Sequence, residues 1–121
     1  MDEAYVEAVL RRVEQVPPGR VTTYGELADA VGRGGPRLAG RVMSQYGAVV
    51  PWWRVVRADG SAPDFLRRSA ARHWRAEGTP LLERRDGTTR VDLRRAAVHL
   101  AAAAESGSGP VPAADQPDPC G

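Results

Sequence analysis

The sequence predicts a mainly α-helical fold with short strands, arranged as a winged helix-turn-helix domain. Three observations lead there. Two short amphipathic stretches are joined by a tight glycine turn, Arg33-Gly34-Gly35, which is the helix-turn-helix pattern. The second stretch carries Arg37, Arg41 and Ser44 on one side at i, i+4, i+7, so arginines face outward as on a helix that reads nucleic acid. Brief extended runs with turn signals between them follow, and these suit a wing.

The elements can be justified in order. Val6, Val9, Leu10 and Val13 follow i, i+3, i+4, i+7 spacing and predict an amphipathic helix over 2–15. Pro17-Pro18-Gly19 forces a turn, and Arg20-Val21-Thr22 is short and extended. Thr23 followed by Glu26 is a capping-box pattern, opening a helix that carries Leu27, Ala28, Ala30 and Val31 and stops at Gly32. Pro36 suits the first turn of the next helix, with Leu38, Ala39, Val42 and Tyr46 on its apolar side. Trp53-Arg54-Val55-Val56-Arg57 has strand composition and Ala58-Asp59-Gly60-Ser61 is a turn, together a possible wing. A further helix is expected over 65–77, with Asp64 as N-cap, Leu66, Ala70 and Trp74 inward and Gly78 as stop. Leu81–Arg84 and Thr89–Leu93 are two more extended stretches around Arg85-Asp86-Gly87, and 94–105 suits a last helix or a frayed end.

The length of 121 residues fits one domain, placed at 1–100. The remainder, 101–121, is expected to be a disordered tail, because SGSGPVPAADQPDPCG has no apolar periodicity. Net charge is only +2, but the positive charge is carried entirely by arginine, with no lysine in the chain. Arginine forks onto phosphates and stacks on bases better than lysine does. Between Val31 and Arg72 the only acids are Asp59 and Asp64, so that stretch favours an anionic partner.

Several function classes lose support. No apolar run approaches the roughly 20 residues of a membrane span, and the acidic start MDEAYVEAVL lacks a signal-peptide pattern. A soluble, reducing, cytoplasmic setting is expected, with no membrane partner. The lone cysteine, Cys120, has no partner for a disulfide, and neither His73 nor His99 has a neighbour at metal-ligand spacing. His73 reads as a helix-surface imidazole. No cofactor and no metal are expected.

Binding groups are more prominent than catalysts. Tyr24, just after an N-cap, stands at the positive end of a helix, where phosphates bind; a packed aromatic would look the same. Arg37 is either a solvated charge or a contact to nucleic acid. Trp52 and Trp53, neighbours on an expected strand, should point to opposite faces, and both could be core residues.

Three stretches taken together narrow these alternatives: Val16-Pro17-Pro18-Gly19-Arg20-Val21-Thr22-Thr23-Tyr24-Gly25-Glu26-Leu27-Ala28, then Pro36-Arg37-Leu38-Ala39-Gly40-Arg41-Val42-Met43, then Val50-Pro51-Trp52-Trp53-Arg54-Val55-Val56. In this order and spacing the chain, from residue 2 to about 93, resembles the C-terminal DNA-binding domain of the O6-alkylguanine-DNA alkyltransferases. In that family the last stretch reads Pro-Cys-His-Arg-Val, and the cysteine takes the alkyl group from the base. Here Trp52 stands at the cysteine position and Trp53 at the histidine position, a mark of the alkyltransferase-like proteins, which bind the lesion without repairing it.

The resemblance implies roles for particular residues. Tyr24 would crowd the target phosphate and help rotate the nucleotide out. Arg37 would be the finger filling the vacated stack, and Gly40 would let the helix approach the backbone; Arg41, a cation one turn on from Arg37, is expected from its charge and place on the helix to meet a phosphate. Tyr24, Met43, Trp52 and Val55 would form the lesion pocket, the last two through main-chain carbonyls as well. Glu77 would hold the histidine in a true transferase and here is at most structural. Three features depart from the family: the chain contains no asparagine, Ser44–Val50 is short, and Ala62–Leu66 lacks the glycine-rich pattern that closes over the base. The implied function is binding of O6-alkylguanine in double-stranded DNA by minor-groove docking and nucleotide flipping, without alkyl transfer. The implied sequel is hand-over to nucleotide excision repair proteins, by a protein expected to be a monomer. The alternative is a sequence-specific winged-helix transcription regulator, which explains the helix pair but not Pro-Trp-Trp-Arg-Val.

Overall fold

A computed structural model describes residues 2–100. The expected tail 101–121, with Cys120, lies outside the described residues. The fold is mostly helical with short strands, as the pattern predicts.

The first helix, α1, spans Glu3–Glu14. Asp2 caps it by accepting the Tyr5 N–H at 2.7 Å. The fully buried stripe is Tyr5, Val9 and Val13, while Val6 and Leu10 are half-buried at its edge. The second helix, α2, is Tyr24–Val31, and Thr23 Oγ1 accepts the Glu26 N–H at 3.1 Å. Only half of the capping box forms, because the Glu26 carboxylate lies 3.0 Å from His99 Nδ1 instead.

Gly32, at φ 93°, closes α2, and Gly34, at φ 90°, precedes the third helix, α3, Gly35–Tyr46. Gly34 is required twice over: its φ is left-handed, and a Cβ there would sit 2.3 Å from the Tyr5 hydroxyl. Ala39, Val42 and Met43 face inward from α3. Tyr46, expected on that face, is 46% exposed because the helix ends there and the chain turns away. These three helices form the first core around Val9, Leu27 and Val42.

Pro51 begins a tight turn rather than a strand. Trp52–Arg54 is a 3₁₀ turn, with the Arg54 N–H bonded to Pro51 O at 3.1 Å. The strand expected over 53–57 therefore shrinks to β2, Val55–Val56. It pairs in parallel with β1, Thr22–Thr23, in the register Thr22 to Val55 and Thr23 to Val56. The turn at 58–61 is not a wing tip. The Val91 N–H bonds Gly60 O at 2.9 Å, packing that turn against the hairpin that follows. The wing is formed by β3, Leu81–Glu83, antiparallel to β4, Thr89–Val91.

Asp64 does not cap the next helix. Asp64–Leu66 is a 3₁₀ turn, and α4 runs from Arg67 to Glu77 before Gly78 ends it at φ 72°. The Asp64 carboxylate instead reaches Arg67 at 2.6 Å. Trp74 and Ala70 anchor a second core with Val21, Val56, Val91 and Ala96, while Leu66 is only half-buried. The expected last helix is a single turn, α5, Leu93–Ala96. Beyond it the chain runs alongside Val21, whose N–H bonds Ala96 O at 3.0 Å and whose carbonyl accepts the Val98 N–H at 2.9 Å. Trp52 packs against both cores, so the segment 52–54 is the seam between them.

Candidate nucleic-acid interface

A cleft of ≈ 270 Å³ opens beside that seam. Tyr24 enters it from the first turn of α2. Gly40, Met43 and Ser44 come from α3, and Gly47 and Ala48 from the turn after it. Trp52 forms one wall, and Pro63, Phe65 and Leu66 form another. Gly40 matters because a Cβ there would already touch Tyr24 Cδ1 at 4.0 Å. A larger side chain would fill the space between α3 and the Tyr24 ring. Burial pushes the Tyr24 phenol pKa up, and Arg57 partly opposes this, so Tyr24 remains a neutral donor at physiological pH.

The two tryptophans do not take opposite faces of a strand. In the 3₁₀ turn their rings meet edge to face, 5.7 Å apart at 86°. Trp53 turns away from the cleft and stacks on His73, with centroids 3.7 Å apart and planes 7° from parallel. His73 is therefore a packed partner of the site's support rather than a free surface imidazole. Trp52 meets the same imidazole edge-on at 5.7 Å.

Glu77 ties this support together. Its carboxylate accepts the Trp53 Nε1–H at 3.0 Å, the Arg54 Nε–H at 3.1 Å and the Gly19 N–H at 3.0 Å, and its Oε2 also meets Arg54 Nη2. Burial alone would raise the Glu77 pKa, but the bonds from Arg54, Gly19 and Trp53 outweigh it and hold the carboxyl below the ordinary range. Arg54 Nη1 reaches on to Val16 O at 3.0 Å, and Trp74 Nε1–H bonds Trp53 O at 2.7 Å. The turn that presents Trp52 is thus fixed from α4 and from the Pro17-Pro18-Gly19 loop at once.

Arg37 and Arg41 lie exposed one turn apart on α3, and neither is ion-paired among the described residues. Their side chains are free to meet an anionic partner, and α3 also contributes Gly40 to the cleft. Among the described residues there is no group of three or more His, Cys, Asp or Glu placed to hold a metal. None of their helices is long and apolar enough to cross a membrane.

Of the residues singled out in the sequence, Tyr24, Gly40, Met43 and Trp52 share one cleft, with Arg37 and Arg41 on the helix beside it. Val55 is not among the lining residues. Its side chain is buried in the first core, and its backbone lies in β2 opposite Thr22. The Trp52 carbonyl already accepts the Val55 N–H within the turn. The wall made by Pro63, Phe65 and Leu66 was not assigned from the sequence, because Ala62–Leu66 lacks the glycine-rich pattern of the family's closing loop.

Residues 4–79 match the family described as 6-O-methylguanine DNA methyltransferase, DNA binding domain. The chain is 33% identical over 103 residues to the DNA base-flipping protein of Escherichia coli K12, covering 78% of this chain and 74% of that one. It is 40% identical over 63 residues to a methylated-DNA–protein-cysteine methyltransferase of Methanothermobacter thermautotrophicus, covering 50% of this chain and 35% of that protein. Its fold is similar to S. pombe Atl1 in complex with damaged DNA containing O6-carboxymethylguanine, with a TM-score of 0.72 at 24% identity over 81% of this chain and 97% of that one. The S. pombe ATL structure in complex with DNA gives 0.69 at 28% identity, over 81% and 96% of the two chains.

Proposed function

The chain belongs to the 6-O-methylguanine DNA methyltransferase DNA-binding-domain family, as an alkyltransferase-like member, and from that premise we propose that it binds O6-alkylguanine in duplex DNA, holds the base extrahelical and transfers no alkyl group. The observation that carries this reading is Trp52. By the resemblance it stands at the family's alkyl-acceptor position, and it forms a wall of the cleft. An indole carbon or N–H is no useful nucleophile toward an O-alkyl group. The hydroxyls in the cleft, from Tyr24 and Ser44, have no His, Asp or Glu among the lining residues to activate them.

The energetics favour a lesion over an intact base. Flipping costs a few kcal/mol and least where pairing is already weak, as at an O6-alkylated guanine. Stacking on an aromatic wall such as Trp52 returns about 1–3 kcal/mol. Burying the added alkyl group contributes roughly 0.8 kcal/mol per CH₂. Arg41 supplies a salt-dependent phosphate contact. Arg37 fills the vacated stack, Tyr24 crowds the target phosphate, and Gly40 lets α3 approach the backbone in the minor groove. Met43 and Trp52 hold the base. A protein that marks a lesion without removing it needs a second actor, and nucleotide excision repair proteins fit that role, recruited by a monomer on DNA.

The test is a pair of titrations on one duplex sequence, carrying either guanine or O6-methylguanine, followed by mass spectrometry of the protein. Tighter binding to the methylated duplex with no mass gain is the expected result. Equal binding would favour a sequence-reading regulator, and a methyl adduct would make the protein an enzyme.

A further inference from the structure

The parallel pair of β1 and β2 brings two residues from distant parts of the chain to one place. Thr23 lies opposite Val56, each the last residue of its strand. The chain therefore leaves two neighbouring strand ends, about 4.8 Å apart, as Tyr24 and Arg57. Tyr24 begins α2 and reaches the cleft, whereas Arg57 is exposed and is not among the residues lining it. The backbone at Arg57 is held on both sides. Its N–H bonds Ser61 O at 2.9 Å, and its carbonyl accepts the Gly60 N–H at 2.8 Å. Gly60, at φ 85°, is fixed in turn by the Val91 N–H on its own carbonyl. The place of Arg57 is thus set by the fold, while its side chain is left without a partner.

Among the described residues the Arg57 guanidinium enters no ion pair and donates no hydrogen bond. The acids nearest to Arg57 and Tyr24 in the sequence are engaged elsewhere. Asp59 accepts the Ser61 N–H at 3.0 Å and the Ser61 hydroxyl at 2.6 Å, and it pairs with Arg90 at 3.4 Å. Glu26, in the first turn of α2, lies 3.0 Å from His99. The Arg57 charge is nonetheless felt at the Tyr24 hydroxyl, where it opposes the larger effect of burial and leaves the phenol protonated. A guanidinium can only donate, and the phenol has its own proton to give. The pair therefore presents positive charge and donors with no resident anion, and the ligand that suits it is an oxyanion.

We infer that Arg57, together with the Tyr24 hydroxyl, grips the phosphodiester of the flipped nucleotide and so holds the nucleotide out. The inference rests on the lesion-binding reading above and names a group outside the cleft that keeps the backbone rotated. Under that reading Tyr24 crowds the target phosphate, and Arg57 is its neighbour at the strand ends. A nucleotide turned about its backbone carries its own phosphate with it. The Arg57 contact therefore forms only once the base is out, unlike a cation that meets the phosphates of an unrotated duplex. Its loss lowers the share of flipped nucleotide more than it lowers attraction to DNA.

The experiment uses the full chain and one duplex sequence carrying guanine or O6-methylguanine. Further O6-methylguanine duplexes carry a single methylphosphonate, which removes one phosphate charge, on the 5′ side of the lesion, on its 3′ side, or at a remote control position. Wild type should bind the lesion duplex about five- to tenfold more weakly when one of the two flanking phosphates is neutralised, and the control duplex almost normally. Arg57→Ala should weaken the unmodified lesion duplex by a similar factor and the guanine duplex by about twofold at most. It should lose nothing more when the sensitive phosphate is already neutral. Arg57→Lys, which keeps the charge without the fork, should recover part of the loss. Because Arg57 is exposed, both variants should keep the wild-type melting temperature, which a parallel melt verifies. The inference is overturned, with lesion binding left standing, by any of three results: unchanged lesion affinity in Arg57→Ala, equal weakening of both unmodified duplexes, or the full methylphosphonate loss persisting in that variant. A wild type that binds guanine and O6-methylguanine duplexes equally overturns both readings.

Discussion

The Trp53 indole lies flat on the His73 imidazole at 3.7 Å while its N–H points to Glu77 Oε2 at 3.0 Å. One ring therefore meets the carboxylate with its edge and the imidazole with its face. This indole can donate a hydrogen bond but cannot accept a proton, so Trp53 cannot serve as a base for a group at position 52.

Restoring a thiol alone should not restore chemistry. In Trp52→Cys the neighbouring Trp53 cannot act as a base and His73 is held in its stack on Trp53, while the thiolate is the reactive form. Adding Trp53→His places an imidazole where Glu77 already accepts an N–H. The double variant should therefore gain methyl mass from O6-methylguanine DNA faster than the single one. Intact-protein mass spectrometry over time reads both. Efficient transfer by Trp52→Cys alone would refute this account of the missing base.

Fluorescence tests the place of Trp52. Of the three tryptophans, Trp74 is fully buried and Trp53 is covered by His73, while Trp52 lines the cleft. Emission should quench when O6-methylguanine DNA binds, and Trp52→Phe should lose most of that change. An undiminished quench in the variant would place the responding indole elsewhere.

Glu77 should be a stability residue with a pH signature. Its folded pKa lies below the ordinary carboxylate value of 4.5. The stabilisation is thus fully present above that value and is lost as pH falls through the folded pKa. Side-chain exposures of 13% for Arg54 and 14% for Glu77 mean that water replaces little of the lost contact. Glu77→Gln should lower stability by about 1.5–3 kcal/mol at neutral pH, the range for hydrogen bonds to charged groups. It should also flatten the loss of stability as pH falls below 4.5. Urea unfolding at several pH values measures both effects; parallel pH curves for the two proteins would exclude Glu77 as the source.

The helix pair was legible in the sequence because its signals are local, whereas the α2–α3 side of the cleft was legible only through the family resemblance. Thr23 caps within three residues, Gly34 needs its own φ, and the arginines of α3 repeat at helical spacing. The seam was not legible. Strand composition at 53–57 was overridden by Pro51 and by the Trp74 N–H on the Trp53 carbonyl, a contact that depends on where α4 packs. The stacking of His73 and the Phe65 wall have the same origin, since both depend on the return of the chain through 63–74. That the Val55 side chain lies in the core was not legible either, because its pairing with Thr22 turns it inward while its motif neighbours line the cleft.

Arg37 and Arg41 separate lesion recognition from charge attraction. Both are exposed on α3, one turn apart, and neither is ion-paired among the described residues. A phosphate contact acts on every duplex alike, so Arg41→Ala should weaken damaged and undamaged DNA by similar factors and reduce the salt slope by roughly one. A residue that fills the vacated stack matters only once the base has left. Arg37→Ala should therefore reduce affinity for O6-methylguanine DNA more than for guanine DNA. A fluorescent base analogue opposite the lesion should also report less extrahelical base. Four titrations per variant, two duplexes at two salt concentrations, decide the matter. If Arg37→Ala lowers both affinities by one factor and shifts the salt slope as Arg41→Ala does, Arg37 is a second phosphate contact, and the gap left by the base must be filled by another side chain.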